Sequence, residues 1–145
     1  MIEAVTEANI RAAATVHSRA WQSSHGFCAP DFVAAHTPER QETYLREKLR
    51  AGSRVYLLSE EEPVGLVSVT GSLIADLYIL PERQNQGRGT ALLRYAVARC
   101  EGTPTLWILE TNHGAERLYR REGFKPTGKR KNHPNGPDEI EFSLE

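Results

Sequence analysis

Apolar and polar positions alternate along this chain with two periods. Ile10, Ala13, Ala14, His17, Ala20 and Trp21 return every three or four residues, the spacing of one helix face. Thr6 precedes them as a capping hydroxyl, so a helix is predicted over Glu7–Gln22, after a short strand at Met1–Val5. A loop through His25, Gly26, Phe27 and Pro30 leads to a helical turn near Asp31–Ala35. Thr37-Pro38-Glu39 is a second start signal: a capping hydroxyl, a proline at the first helical position and an acid near the positive dipole end. That helix should stop at Gly52. Three strand-like runs follow, Arg54–Ser59, Val64–Thr70 and Leu73–Leu80, parted by Glu61-Glu62-Pro63 and Gly71-Ser72. Such short separations predict an antiparallel meander. Beyond Pro81 come a helix from Arg88 to Cys100, a strand at Thr105–Leu109 and a helix at Gly114–Arg121. A last strand pair, Phe124–Arg130 and Glu139–Leu144, is joined by the turn-rich Asn132-His133-Pro134-Asn135-Gly136-Pro137. The order β-α-α-β-β-β-α-β-α-β-β predicts an α+β domain with a mixed sheet.

The chain's 145 residues suit one domain, residues 1–145, and net charge is only −1. No apolar run reaches the ~18 residues of a membrane span, and MIEAVTEANIR lacks the basic-then-apolar order of a signal peptide. Two cysteines, Cys28 and Cys100, are too few for a disulfide framework. The expectation is a soluble, cytoplasmic domain that needs no membrane. The charge is unevenly spread: Arg83–Lys131 holds eleven Lys and Arg against four Asp and Glu, and the rest holds seven against fifteen. A basic half invites a polyanionic ligand, although a solvated charged face reads the same way.

The most informative stretch is Leu77–Leu93, where an apolar strand enters a polar turn holding Gly87 and Gly89 and an amphipathic helix leaves it. Glycine lets backbone approach a ligand closely, and the first N–H groups of a helix point outward without partners. With the dipole's positive end they make a phosphate cradle, although ordinary strand-to-helix turns also carry such glycines. A dinucleotide fingerprint is excluded because Leu92 stands where its third glycine belongs. A P-loop is excluded because no Gly-Lys-Ser/Thr precedes the helix.

Gln84-Asn85-Gln86-Gly87-Arg88-Gly89 resembles the Q/R-x-x-G-x-G/A segment of the GNAT superfamily of acetyl-CoA-dependent N-acetyltransferases, and Leu77-Tyr78-Ile79-Leu80-Pro81 resembles that family's fourth strand. Asn112-His113-Gly114-Ala115-Glu116-Arg117-Leu118-Tyr119-Arg120-Arg121-Glu122-Gly123-Phe124 is similar to its N-x-x-A-x-x-L-Y-x-x-x-G-F block. The two blocks stand in the family's order. The resemblance implies a mostly antiparallel GNAT-like sheet whose fourth and fifth strands splay apart. It implies acetyl-CoA as co-substrate, with its pyrophosphate on the backbone N–H groups around Gln84, Gln86, Gly87, Arg88, Gly89 and Thr90. Its pantetheine would then lie along the backbone of Leu77 and Ile79, with Asn112 contacting it or holding the helix start.

The resemblance further implies that Tyr119 is the general acid that protonates the leaving thiolate, the alternative being an aromatic that merely packs. An alkyl amine, with a pKa of about 10, must lose a proton before it attacks a thioester. Asp76 on the fourth strand is the first candidate base and Glu110 the second; strand alternation puts Asp76 on the face opposite Leu77, where a solvent-facing or hydrogen-bonded residue reads equally well. The acceptor, a small-molecule or peptide amine, should meet the first helices around Trp21, His25, Phe27 and Phe32, with the final hairpin as a second wall. His25-x-x-Cys28 lacks the second ligand pair of a zinc site, so no metal is expected. Lys125, Lys129, Arg130 and Lys131 lack the interleaved aromatics of a nucleic-acid reader. Family members are often dimers, and a homodimer stays open. The reading from another class is a non-catalytic acyl-CoA or anion-binding module on the same fold.

Overall fold

The computed structural model describes residues 1–134 and 136–144; Asn135, within the expected final turn, lies outside them. Strand β1 (Ile2–Ala4) leads to helix α1 (Ile10–Ser24), which begins three residues later than the pattern predicts. The reason is local. Thr6 Oγ1 accepts from the Ala8 N–H at 3.2 Å, and Asn9 Oδ1 accepts from the Thr6 N–H at 2.7 Å. Asn9 Nδ2 also donates to the Ala4 carbonyl at 3.1 Å, so side chains hold residues 6–9 in a turn that competes with helix. After α2 (Pro30–Ala34), helix α3 (Pro38–Arg50) starts where expected, with Thr37 Oγ1 accepting from the Arg40 N–H at 3.2 Å.

Strands β2 (Arg54–Ser59), β3 (Pro63–Thr70) and β4 (Leu73–Ile79) form the antiparallel meander. A 3-10 turn at Pro81–Arg83 leads into α4 (Arg88–Val97), followed by β5 (Thr105–Leu109), α5 (His113–Arg121), β6 (Lys125–Lys131) and β7 (Glu139–Ser143). Helix α4 ends three residues before Cys100, because Arg99 and Cys100 donate to the carbonyls of Ala96 and Val97 and tighten the last turn. Among the described residues the sheet has seven strands, ordered β1-β2-β3-β4-β5-β7-β6. Its pairs are antiparallel except β4–β5, which is parallel and joined in register only at Leu73 and Thr105. The fourth and fifth strands therefore splay, as the resemblance implies.

Helices cover both faces of the sheet, which is why β2 and β3 are nearly unbroken apolar runs. Val55 and Leu57 of β2 pack with Ile10, Ala13, Ala14 and Leu45 from α1 and α3. Tyr56 and Leu58, one residue out of phase, pack with Leu92, Leu93, Phe124 and Phe142 on the other face.

Strand β4 carries one irregularity. Its partners on β3 run from Leu66–Tyr78 to Ser68–Ala75, so Asp76 and Leu77 together oppose Val67 in a β-bulge. Asp76 takes a left-handed φ of 51°, rare for a non-glycine residue. The bulge changes the strand's phase: Ile74 and Leu77 join the α4 side, while the Asp76 side chain turns to α1 and α3. Asp76 and Leu77 thus lie on opposite faces, as alternation predicts.

Candidate active site

The glycine turn is held in shape by its own side chains. Gln84 Nε2 donates to the Ile79 carbonyl at 3.1 Å and ties the turn to the end of β4. Arg88 points its guanidinium back at Glu60, at 2.7 and 2.9 Å, and also donates to the Arg83 carbonyl and to Gln86 Oε1. Asn85 and Gly87 adopt left-handed φ values of 63° and 85°. With these positions fixed, the six consecutive backbone N–H groups from Asn85 to Thr90 find no acceptor among the described residues. A Cβ on Gly89 would meet Leu118 Cδ2 at 3.4 Å, ordinary van der Waals contact, so α4 and α5 pack closely here. Six unpaired donors at the N-terminus of a ten-residue helix fit a pyrophosphate.

Past the single β4–β5 link, the splay opens a cavity of about 800 Å³. Leu77, Ile79, Gln84, Asn112 and Tyr119 border it, whereas Gln86, Gly87, Arg88, Gly89 and Thr90 do not. Asn112 Oδ1 accepts from the Ala115 N–H at 3.1 Å and caps α5. Tyr119 is 7% exposed, and its ring stands 6.0 Å from that of Phe124. Its hydroxyl has no hydrogen-bond partner among the described residues, yet no buried polar atom there is left both sealed and unpaired, so the hydroxyl opens to the cavity. Burial pushes the phenol well above its ordinary pKa. At neutral pH it keeps its proton.

Asp76 borders the same cavity but is heavily engaged. Lys48 Nζ lies 2.7 Å from Oδ2, Ser68 Oγ donates to it at 2.8 Å, and the Tyr44 hydroxyl reaches both oxygens at 3.0 and 3.1 Å. His17 Nε2 stands 3.9 Å from Oδ1. Burial raises the carboxyl's proton affinity, but Lys48, His17 and the hydrogen bonds outweigh it and hold the pKa below the ordinary value. Glu110 is turned away: it is paired with Arg130 on the exposed side of the sheet and does not border the cavity. Sequence reasoning missed Lys48, Tyr44 and Ser68, which lie 28, 32 and 8 residues from Asp76 and carry no local signal. Lys48→Met removes one half of this pair. The loss should be roughly 2–3 kcal/mol, below that of a fully buried pair because both ends keep some exposure, and thermal melts at pH 7 should read it as several degrees.

One end of the cavity is aromatic. Trp21 is stacked between His25 (centroids 3.9 Å apart, planes 8° off) and His36 (3.4 Å, 11°). Phe32 stands edge-on to Trp21 at 5.8 Å, and Phe27 lies 5.6 Å from His25. His133, Pro134 and Glu139 from the final hairpin border the same cavity. His36 and the His133–Glu139 pair are additions that the sequence did not single out. Among the described residues no three His, Cys, Asp or Glu side chains gather as a metal site, and no helix is long and apolar enough to cross a membrane.

Residues 51–126, just over half of the chain, match the family model described as an acetyltransferase (GNAT) domain. The chain belongs to the GNAT acetyltransferase family. Over 75 residues it is 35% identical to the peptidyl-lysine N-acetyltransferase YjaB of Salmonella typhimurium, a match that covers 52% of this chain and 51% of that protein. It thus spans about half the length of that curated relative. The fold is shared with the ribosomal-protein-S18-alanine N-acetyltransferase of Escherichia coli, at TM-score 0.76 and 20% identity over 99% of this chain and 92% of that one. It is shared too with yncA of Salmonella typhimurium, solved with its cofactor acetyl-CoA, at TM-score 0.71 and 17% identity over 100% and 92% of the two chains. The unpaired donors from Asn85 to Thr90 of this chain present the N–H groups that a pyrophosphate needs.

Proposed function

We propose that this GNAT domain moves the acetyl group of acetyl-CoA to an amine by direct attack. The observation that carries the reading is a juxtaposition: Gln84, which precedes six unpaired N–H groups, borders the same cavity as Leu77, Ile79 and Tyr119. In this reading the backbone from Asn85 to Thr90, with Gln84 anchoring it, holds the pyrophosphate, and the free edge of β4 aligns the pantetheine. The amine nitrogen bonds to the thioester carbon as the carbon–sulfur bond breaks. Tyr119 gives its proton to the departing sulfur, and the amine's proton leaves to water. Asp76, a weak base with its oxygens already bonded, serves to hold the β4 bulge. Asn112 holds the start of α5.

Calorimetric titration with acetyl-CoA, with ATP and NAD as controls, tests the first half: selective binding of acetyl-CoA is expected. Release of free thiol on adding an amine tests the second. Gly87→Ala forces a side chain into a left-handed position, at a cost of roughly 1–2 kcal/mol. It should weaken acetyl-CoA about tenfold in the same titration. A second reading has support in the engaged Asp76 and the averted Glu110: a non-catalytic acyl-CoA-binding module would bind acetyl-CoA and turn over no amine.

A further inference from the structure

We propose that the acceptor is a small monoamine carrying a flat apolar group, an arylalkylamine, and that Trp21, Phe27 and Phe32 form the surface on which that group lies. This rests on the transferase reading above and names its substrate class. The chain's exposed large hydrophobics, among the described residues, are Met1, Phe27, Phe32 and Tyr44. Two of them, at 50% and 49% exposure, flank the acceptor end of the cavity. Apolar rings left in water at the mouth of a cavity mark a binding surface. Trp21 is clamped on both faces by imidazoles, so it presents a fixed edge. Phe32 stands edge-on against both Trp21 and His36, which fixes its ring as well.

Charge narrows the class further. The described cavity walls carry no Lys or Arg, so a carboxylate on the acceptor would meet no cation there. Of their carboxylates, Asp76 is matched by Lys48, and Glu139 lies 3.3 Å from His133 Nε2, which leaves at most one carboxylate for a cationic amine. A polyamine or aminoglycoside brings several cations, and beyond Glu139 these walls offer them no unmatched carboxylate. One amine on an apolar body suits these walls. A Cβ on Gly136 would sit 3.0 Å from Phe27 Cε2, so the final hairpin lies directly against this ring and bounds the aromatic surface on that side.

The test is a panel of 2-phenylethylamine, tryptamine, propylamine, spermidine, a lysyl peptide and an alanyl peptide N-terminus. Thiol release is read at saturating acetyl-CoA, with hydrolysis lacking amine as the blank. Burying a phenyl ring should raise kcat/KM for 2-phenylethylamine over propylamine by about tenfold or more. Phe32→Ala, a half-exposed position where the fold should survive, should bring that ratio close to one. A wild-type ratio near one, a preference for spermidine or either peptide, or no turnover of either arylalkylamine overturns the inference. Calorimetry separates the two levels. Absence of acetyl-CoA binding removes the transferase reading and this inference with it, whereas binding together with another preferred amine removes this inference alone.

Discussion

Tyr119→Phe lowers kcat by roughly 10²–10³-fold and leaves acetyl-CoA affinity unchanged; this is the expected result if the phenol protonates the departing sulfur. The substitution removes one oxygen and keeps the ring that packs near Phe124. Because that hydroxyl has no protein partner among the described residues, its loss strands no donor or acceptor, and the melting temperature should hardly move. Burial keeps the phenol protonated at neutral pH, so the wild-type group is in its donating form. Thiol-release kinetics measure the first quantity and calorimetry the second. A kcat equal to wild type would sink the general-acid role and return Tyr119 to packing.

Between about pH 6.5 and 4 the domain should lose about 3 kcal/mol of stability through His17 alone. The imidazole is 2% exposed and receives a hydrogen bond from Gln41 Nε2 at 3.1 Å. It lies tilted against the rings of Tyr44 and Tyr78, with centroids 5.5 and 5.1 Å away. Burial pushes its pKa down to about 4, against the pull of the Asp76 carboxylate. An unfolded histidine titrates near 6.5, so between these values the unfolded chain takes up a proton that the folded one refuses. Stability is therefore full above about pH 6.5 and falls as pH drops toward 4. His25 and His36, also lowered by burial, act in the same direction. Asp76 adds its own loss only in more acid solution, because its folded pKa lies below that of a free carboxyl. Melting temperatures from pH 7.5 to 4.5 should fall more steeply for wild type than for His17→Gln, which can still bond Gln41. Equal slopes would show that His17 titrates freely.

Much of the fold is legible because its signals are local. Strand β2 occupies the expected Arg54–Ser59, since a run of branched and aromatic residues between turn signals has few other conformations. Helix α3 starts at Pro38 because Thr37 and Pro38 supply the cap and the first dihedral themselves. The start of α1 was misplaced because two side chains compete for the cap. Thr6 is a good capping residue by type, but Asn9 reaches both the Thr6 N–H and the Ala4 carbonyl, a geometry that depends on where β1 lies. Glu110 was a reasonable base by position on its strand. Its pairing with Arg130 follows from β7 and β6 lying beyond β5, which residue spacing does not reveal.

The sequence by itself determined the order of elements, the strand-to-helix turn with its two glycines, and the pairing of that turn with the Asn112–Phe124 block. Each of these is written in residues adjacent along the chain, where dihedral preference, capping and periodicity act. Tertiary structure decided which polar groups are free. Folding brought Lys48, Tyr44 and Ser68 to the Asp76 carboxylate, turned Arg88 toward Glu60, and left the Tyr119 hydroxyl with no partner among the described residues. A group's proton affinity and availability depend on the charges and donors within a few ångströms of it, and here those come from strands and helices tens of residues away.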